Sequence, residues 1–514
     1  MHNISRISSA IVFVLLSVTP VWGKTLYVNG SGGSDSVSYA QNSEAAPWAT
    51  LGRATWGSVS RLSQNASEAA QAGDTVIVYG GTYHGGNATG DRMDPTFNPA
   101  NSGTAGNLIT FQCRAGDICT LQHTGSYATA ISSGSPIIGS KTRNYIKWSG
   151  FYINAQNAQP HRDTGPITVF DATGVIIDNN HVYAMPSDQY DNNPAVRLEC
   201  ANNLEITNNV IHFSGSNFTN SSGINSYGTQ NVLVEHNEIY NVDAAIYPKG
   251  RCTNDTLINA NWTVRFNKLH DIWGGQGIEV SSTKDSNFYQ NVIYNSAANG
   301  IRVAYLEGGN VNIYNNTIDT VTGSGLIFPD NQNYNNIWGT YNLYNNIVTN
   351  AGHGANIASL AAVNANYLFD YNYYYNLRIN FGYAGVVRTF AEWKTLVADD
   401  AHSYIADPQF VDRSARDYRL AAGSPARTAS NTGGPIGAYI TGTETIGSNN
   451  TNLPPPSNGG GESVSGGGGG GGGCAMALHP VPEATSGSRL ASTLLLGFPL
   501  VFLYIRRRLR KRIC

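Results

Sequence analysis

Val232-Leu233-Val234-Glu235-His236-Asn237-Glu238-Ile239 is the stretch that decides the fold. It reads apolar, x, apolar, x, x, Asn, x, apolar, and the same order returns from Trp262 to Leu269. An Asn followed two residues later by a branched apolar or aromatic residue recurs at Asn180, Asn209, Asn237, Asn267, Asn291, Asn316, Asn346 and Asn372, with spacings of 29, 28, 30, 24, 25, 30 and 26. A period in this range marks a repeat of one small structural unit. Alternation of apolar and polar residues around each Asn makes the flanking segments strands. Asn suits the bend because it tolerates the left-handed backbone region and its amide bonds nearby backbone groups. Stacked unit on unit, the amides can form an internal hydrogen-bonded ladder.

A second strand is expected after each bend, marked by Gly223-Ile224, Ala245-Ile246, Gly277-Ile278, Gly300-Ile301 and Gly325-Leu326. Units this short cannot bury an apolar side alone, so neighbours must stack, at about 4.8 Å per coil. The seven steps between ladder asparagines then span roughly 34 Å. This predicts an all-β solenoid, a right-handed parallel β-helix. Propeller blades repeat at about 40 residues or more and fit less well.

The rest of the 514 residues sorts around that core. Only 13% are charged, against about 25% in an average chain. Seven of the 31 basic residues are Arg6 and the six after Ile505, which leaves a body of roughly −10 charge with no basic face for nucleic acid. Residues 1–23 have the order of a secretory signal, with Arg6, the apolar run Ile11 to Val18, then Pro20 and Gly23. The expected organisation continues with an N-terminal cap and first coils over 24–140, β-helix repeats over 141–380 and a C-terminal cap over 381–440. A Gly/Pro/Ser-rich linker follows over 441–473, including unbroken glycine from Gly466 to Gly473. The last segment, 474–514, holds an apolar run from Leu490 to Ile505, expected as a transmembrane helix, and the basic Arg506-Arg507-Arg508-Leu509-Arg510-Lys511-Arg512.

Cys474, Val481-Pro482-Glu483-Ala484, the apolar run and the basic cluster together resemble bacterial C-terminal sorting signals of the PEP-CTERM kind. That resemblance implies export, membrane insertion through the C-terminal helix, and a sorting protease or sortase as partner. A plain membrane anchor places the body on the same outer face. Six cysteines agree with export. Cys113 and Cys119 are near enough in sequence to bridge, whereas a Cys200–Cys252 bond would have to reach over an intervening coil and is not expected unless a loop folds back. No zinc, phosphate-loop or dinucleotide motif is present.

Both solenoid ends need covering. An amphipathic segment from Pro47-Trp48 to about Ala70, followed by Asp74-Thr75-Val76-Ile77-Val78, resembles the opening of secreted β-helix proteins of the pectate-lyase-like superfamily, in which an N-terminal helix closes the core. A short helix at Phe390 to Val397, then Asp407-Pro408-Gln409-Phe410-Val411 and Ile436-Gly437-Ala438-Tyr439, resembles their closing segment. The likeness runs from about Leu26 to Tyr439, and the superfamily hosts lyases, hydrolases, epimerases and binding proteins.

With Val196, Ile224, Ile246, Ile278 and Ile301 inward, the next residues form an outward stack of Arg197, Asn225, Tyr247, Glu279 and Arg302, and two places further stand Glu199, Tyr227, Lys249, Ser281 and Ala304. Cations beside aromatic groups suit an acidic polysaccharide, with Arg197, Asn225, Tyr227 and Tyr247 as substrate-binding candidates. Eliminating a glycosidic bond next to a uronate requires a base that is neutral when it acts and a cation for the carboxylate. Lys284, Lys249 and Arg302 are the catalytic candidates. Glu279-Val280-Ser281-Ser282-Thr283-Lys284, with Gly300-Ile301-Arg302 one coil later, is similar to the chondroitinase B and alginate lyase family. The resemblance implies Glu279 as a Ca²⁺ ligand, Lys284 as base and Arg302 as partner of the carboxylate or leaving group. Ser281 and Lys249 stand where further ligands would be expected. Gly352-His353-Gly354 imitates a polygalacturonase motif but reads as a turn, and Asp188, Asp191 and Glu199 could bind Ca²⁺ through oxygens, although residues 188–194 read first as an ordinary polar loop. Two functional classes follow, an enzyme on acidic polysaccharide, leaning to a lyase, and a noncatalytic surface protein that binds glycan or another cell.

Overall fold

A computed structural model describes residues 23–450, apart from 86–92, 124–136, 156–164, 185–191, 214–219, 253–256, 305–306, 329–337, 359–365 and 398–399. The signal, the glycine run and the sorting tail lie outside the described residues. Among the described residues, no helix is long and apolar enough to cross a membrane.

The coils are built from three rows of strands, where the sequence pattern suggested two; Thr317–Phe328 and Ile347–Ile357 each run unbroken through the second and third rows. The first row runs from Thr25–Val28 through Gln230–Glu235 and Asn259–Arg265 to Asn366–Asp370, all in parallel register. The ladder Asn follows, and the second row begins beside it, as in Glu238–Val242, Lys268–Ile272 and Val292–Ser296. The Gly-Ile pairs belong to the third row, for example Ser222–Tyr227, Ala244–Gly250, Gln276–Val280 and Asn299–Val303. Glycine is required there by close approach. A Cβ on Gly277 would lie 2.5 Å from a methyl of Ile293, and one on Gly300 would lie 2.6 Å from a methyl of Ile318. The third row therefore packs directly on the branched residues of the second, and one continuous apolar core fills the interior.

All eight ladder asparagines are fully buried. Asn267 shows the pattern: its Nδ2 donates to Val234 O at 2.9 Å and to Asn291 Oδ1 at 3.0 Å, while its own Oδ1 accepts from the backbone N of Asn237 at 3.0 Å. The ladder ends where Asn372 N donates to Ser403 Oγ at 2.7 Å. The left-handed residue is not the ladder Asn but the one before it, including His236 (φ 55°), Phe266 (φ 55°) and Tyr371 (φ 55°). Asn is thus selected for its amide, and the bend is imposed even on aromatic residues by the hydrogen bonds on either side.

The N-terminal helix is shorter than the amphipathic pattern suggested. It covers Leu51–Trp56, with Thr50 Oγ1 accepting from Arg53 N, and stops at Gly57 in the left-handed region (φ 70°). Two 3₁₀ turns, Arg61–Ser63 and Ala66–Glu68, replace its continuation. The other end is closed by the helix Phe390–Leu396, which begins in a Thr389/Glu392 capping box and buries Trp393 against Phe369 and Phe381. Beyond it, Phe410–Asp412 pairs antiparallel with Asp417–Leu420 on the flank, where Arg413 and Tyr418 bond the buried Asp319.

The chain then turns back along the solenoid. Gly437 N bonds Asn345 O, Gly447 N bonds Phe266 O, Ser448 Oγ bonds Asn208 O and Asn450 Nδ2 bonds Asn179 O. These acceptors are the left-handed residues preceding four of the ladder asparagines, Asn346, Asn267, Asn209 and Asn180. Residues 441–450, expected to open the linker, therefore form a strap that satisfies carbonyls the bends turn outward.

Candidate functional site

The third row sets the outward face. Arg197, Asn225 and Tyr247 are in direct register, as are Glu279 and Arg302, and the two groups join through the Ile246–Ile278 pair. The register shifts between Ser226 and Tyr227, so that Tyr227 pairs with Gly250 and Lys249 sits beside the column. The stack expected from alternation is present. It is more buried than a solvated sheet face: Arg197, Asn225 and Glu279 are all under a tenth exposed.

Arg197 donates to Glu199 Oε2 at 2.6 Å, and its guanidinium lies 3.8 Å from the Tyr227 ring centroid. Tyr227 Oη donates to Asn192 Oδ1 at 3.1 Å. Lys249 Nζ reaches the same Asn192 oxygen at 2.6 Å and Asn220 Oδ1 at 2.9 Å, with the Tyr247 ring centroid 5.2 Å away. Asn220 is itself held by its backbone N donating to Asp243 Oδ2 at 2.6 Å. On the next coils, Glu279 accepts from Gln276 Nε2 at 3.1 Å and meets Arg302 at 3.4 Å. Arg302 is the more exposed partner, at 31% against 5% for the Glu279 side chain.

Burial pushes the Glu279 carboxyl above the ordinary carboxylate range, although Arg302, Tyr247 and Lys249 pull the other way. Asp243 is likewise raised by burial, against its bond from Asn220 and the charge of Lys249. Burial, then the charge of Glu279, holds the Tyr247 phenol protonated well above its usual range. The face thus offers three cations, Arg197, Lys249 and Arg302, with a retained phenol proton and two carboxyls of raised basicity.

Lys284 is not part of this group. After Val280 the chain turns through Ser282 (φ 44°), and Thr283–Lys284 pairs with Asn259 and Ala260 in the first row. The Lys284 ammonium has no hydrogen-bond or ion-pair partner among the described residues. The turn at Ser282 places Lys284 in the first-row sheet, whereas Glu279 and Arg302, the other two residues of the motif, stay in the third row. His353 also differs from expectation: it lies within the strand Ile347–Ile357, in register with Ser324, and its Nδ1 is buried with no hydrogen-bond partner among the described residues. Asp188 and Asp191 lie outside the described residues.

Calcium finds a poor donor set at Glu279. The one carboxylate faces Arg302, Gln276 presents an N–H to it, and Lys249 stands on the same face, whereas Ca²⁺ takes six to eight oxygens. Among the described residues no three His, Cys, Asp or Glu side chains gather as a metal site.

The Cys200–Cys252 bridge, not expected from the repeat spacing, is formed, with Cα atoms 5.1 Å apart. Cys113–Cys119 is formed as expected, at 5.7 Å. Asn192, Asn220, Asp243 and Gln276 were not singled out by the sequence pattern. Each lies at or before the start of a third-row strand, where alternation no longer fixes direction.

Residues 222–382 match the family model described as Right handed beta helix region. No curated protein matches the chain. Similar solved structures include the GH136 lacto-N-biosidase from Eubacterium ramulus (13% identity, TM-score 0.48, covering 75% of this chain and 67% of that one). Pectate lyase Pel9A is 11% identical, with a TM-score of 0.41 and coverage of 81% and 96%. A PL6 family polysaccharide lyase from Pseudopedobacter saltans is 15% identical, with a TM-score of 0.41 and coverage of 72% and 98%. The chain is an all-β, right-handed parallel β-helix protein. Likeness at this level does not bear on its activity.

Proposed function

We propose that the third-row face holds an acidic polysaccharide and cleaves it by β-elimination. The observation that carries this reading is the meeting of Lys249, Tyr247, Glu279 and Arg302 on three successive coils of one face. Arg302, half-exposed and only loosely engaged by Glu279, takes the uronate carboxylate and so acidifies the adjacent C5 proton. Lys249 removes that proton. The C4–O bond breaks as the C4=C5 bond forms, and Tyr247 gives its phenol proton to the leaving oxygen. The proton on Lys249 then restores the phenol. Lys249 must be neutral to act; the positive charge of Arg302 favours this, against the carboxyls of Glu279 and Asp243. Calcium has no step in this scheme.

A noncatalytic glycan-binding reading has one observation in its favour: Arg197 is buried and held against Glu199 and the Tyr227 ring. Export, with retention at the outer face of the cytoplasmic membrane through the C-terminal tail and a sorting protease or sortase, belongs to the same proposal. The two disulfides support it, because such bridges persist in oxidising compartments.

The test is incubation of the purified protein with a panel of uronate polymers, following ultraviolet absorbance of the unsaturated product. Product that disappears in Lys249→Ala and Tyr247→Phe supports elimination. Binding without product selects the noncatalytic reading, and absence of both overturns the site.

A further inference from the structure

Beside that face, the corner between the second and third rows carries a groove of ≈ 510 Å³, a volume in the range of small-ligand sites. Its floor is made of small side chains because the position after the second-row strand changes along the solenoid. Trp273 occupies it in one coil, Ala297 in the next and Thr322 in the one after. The half-buried Trp273, edge-on to Phe213 at 6.3 Å, therefore overlooks the space left by its smaller successors.

The opposite end is closed by Arg378. Its guanidinium reaches back to donate to Val321 O at 2.6 Å, Thr322 O at 2.9 Å and Asn350 O at 2.9 Å. Three carbonyls fix its position but leave its charge uncompensated, and it has no ion pair among the described residues. It stands at the level of the Thr322 coil, two coils or about 10 Å from Trp273. At the Trp273 end, Asp271 is tied to His270 Nδ1 at 2.7 Å and to Asn295, which orients a carboxylate edge into the groove.

We propose that this groove is a separate binding site for a short, uronate-containing oligosaccharide. One sugar ring packs on the Trp273 indole with its hydroxyls donating to Asp271, and a carboxylate two coils away pairs with Arg378. Acid at one end and cation at the other fix the direction in which the ligand lies. The assignment stands whether or not the third-row face is catalytic.

Calorimetric titration of the purified full chain with a galacturonate trisaccharide and with its uncharged galactose counterpart tests it. Titration in a Lys249→Ala/Arg302→Ala background removes both cations offered to the sugar on the third-row face, so the remaining binding reads the groove. Trp273→Ala should weaken this binding at least tenfold, and Arg378→Gln should abolish the preference for the charged sugar. Ala297→Trp provides a second block that leaves the core untouched, because Ala297 is exposed. Unchanged affinity in both Trp273→Ala and Ala297→Trp overturns the site. Equal binding of the two sugars by the parent overturns its ligand class. Loss of all binding in that double variant, with Trp273 and Arg378 intact, assigns the sugar to the third-row face and sinks the groove while sparing the other reading.

Discussion

Cys252 is bonded to Cys200 across the coil that carries Gly228. Gly228 is in the left-handed region (φ 58°), and a Cβ there would lie 2.5 Å from Cys252 N and 2.6 Å from Cys252 Cβ. The bridge can pass only because that coil has no side chain at this point. Gly228→Ala should therefore cost about 1–3 kcal/mol more than Gly385→Ala, since Gly385 has a similar φ of 76° but open space around it. Thermal melts of the two variants, with thiol labelling for the displaced cysteines, provide the measurement. Equal melting temperatures and no new thiols would show that the coil yields.

The buried and exposed amide ladders should respond differently. Asn267→Leu strands a carbonyl of Val234 and the amide N–H of Asn237 inside the core, at about 1–3 kcal/mol for each unsatisfied group. Asn261 belongs to an exposed ladder, donating to Asn231 at 3.0 Å. Asn261→Ala should stay within about 1 kcal/mol, because water replaces the lost partner. Denaturant melts that place the two variants together would remove the inner ladder as a stabilising element.

The strap predicts that chain length beyond the cap matters. A chain ending at Tyr439 loses the contacts of Gly447, Ser448 and Asn450 with three coils. At about 1 kcal/mol net for each hydrogen bond, it should be less stable by roughly 2–4 kcal/mol than one ending at Asn450. Hydrogen exchange should show the loss at residues 179–208. Identical stability of the two chains would make the strap a passive passenger.

Acid should weaken the fold through the second row. His181 and His212 face each other with Nε2 atoms 2.8 Å apart. Burial, aided by the charge of His212, takes His181 down to about 3, and burial lowers His212 as well. The unfolded chain takes up these protons near pH 6.5. Between pH 6.5 and 3 it therefore binds more protons than the folded one, so stability falls as pH falls through that window. His270 acts oppositely, because Asp271 and Glu238 outweigh burial and raise it. Its contribution is complete below 6.5 and is lost as pH rises through the folded value. His181→Phe should flatten the acid loss between pH 6.5 and 4 in thermal melts. A slope equal to the parent's would put the acid sensitivity elsewhere.

The two lysines separate the motif from the geometry. Lys284→Ala should leave turnover of any acidic polysaccharide at the parental rate, whereas Lys249→Ala should abolish it and Arg302→Ala should reduce it at least tenfold. Equal effects of the two lysine variants would mean that the turn at Ser282 does not keep Lys284 away from the substrate.

By itself the sequence determined the solenoid, its eight counted repeats, both capping helices and the outward register of Arg197, Asn225, Tyr247, Glu279 and Arg302. These features are local: a period-two pattern fixes which side of a strand each residue faces, and a repeat fixes the stacking partner. Only the tertiary structure decided what depends on the path between strands. It inserted a third row, moved the left-handed bend one residue ahead of each ladder Asn, turned Lys284 onto another sheet and folded Cys252 over Gly228. It also brought Asn192, Asn220 and Asp243 to Lys249, and laid residues 441–450 against carbonyls more than 200 positions away in the chain. A turn can rotate the following strand by any amount that its hydrogen bonds allow, and no periodicity in the sequence records that rotation.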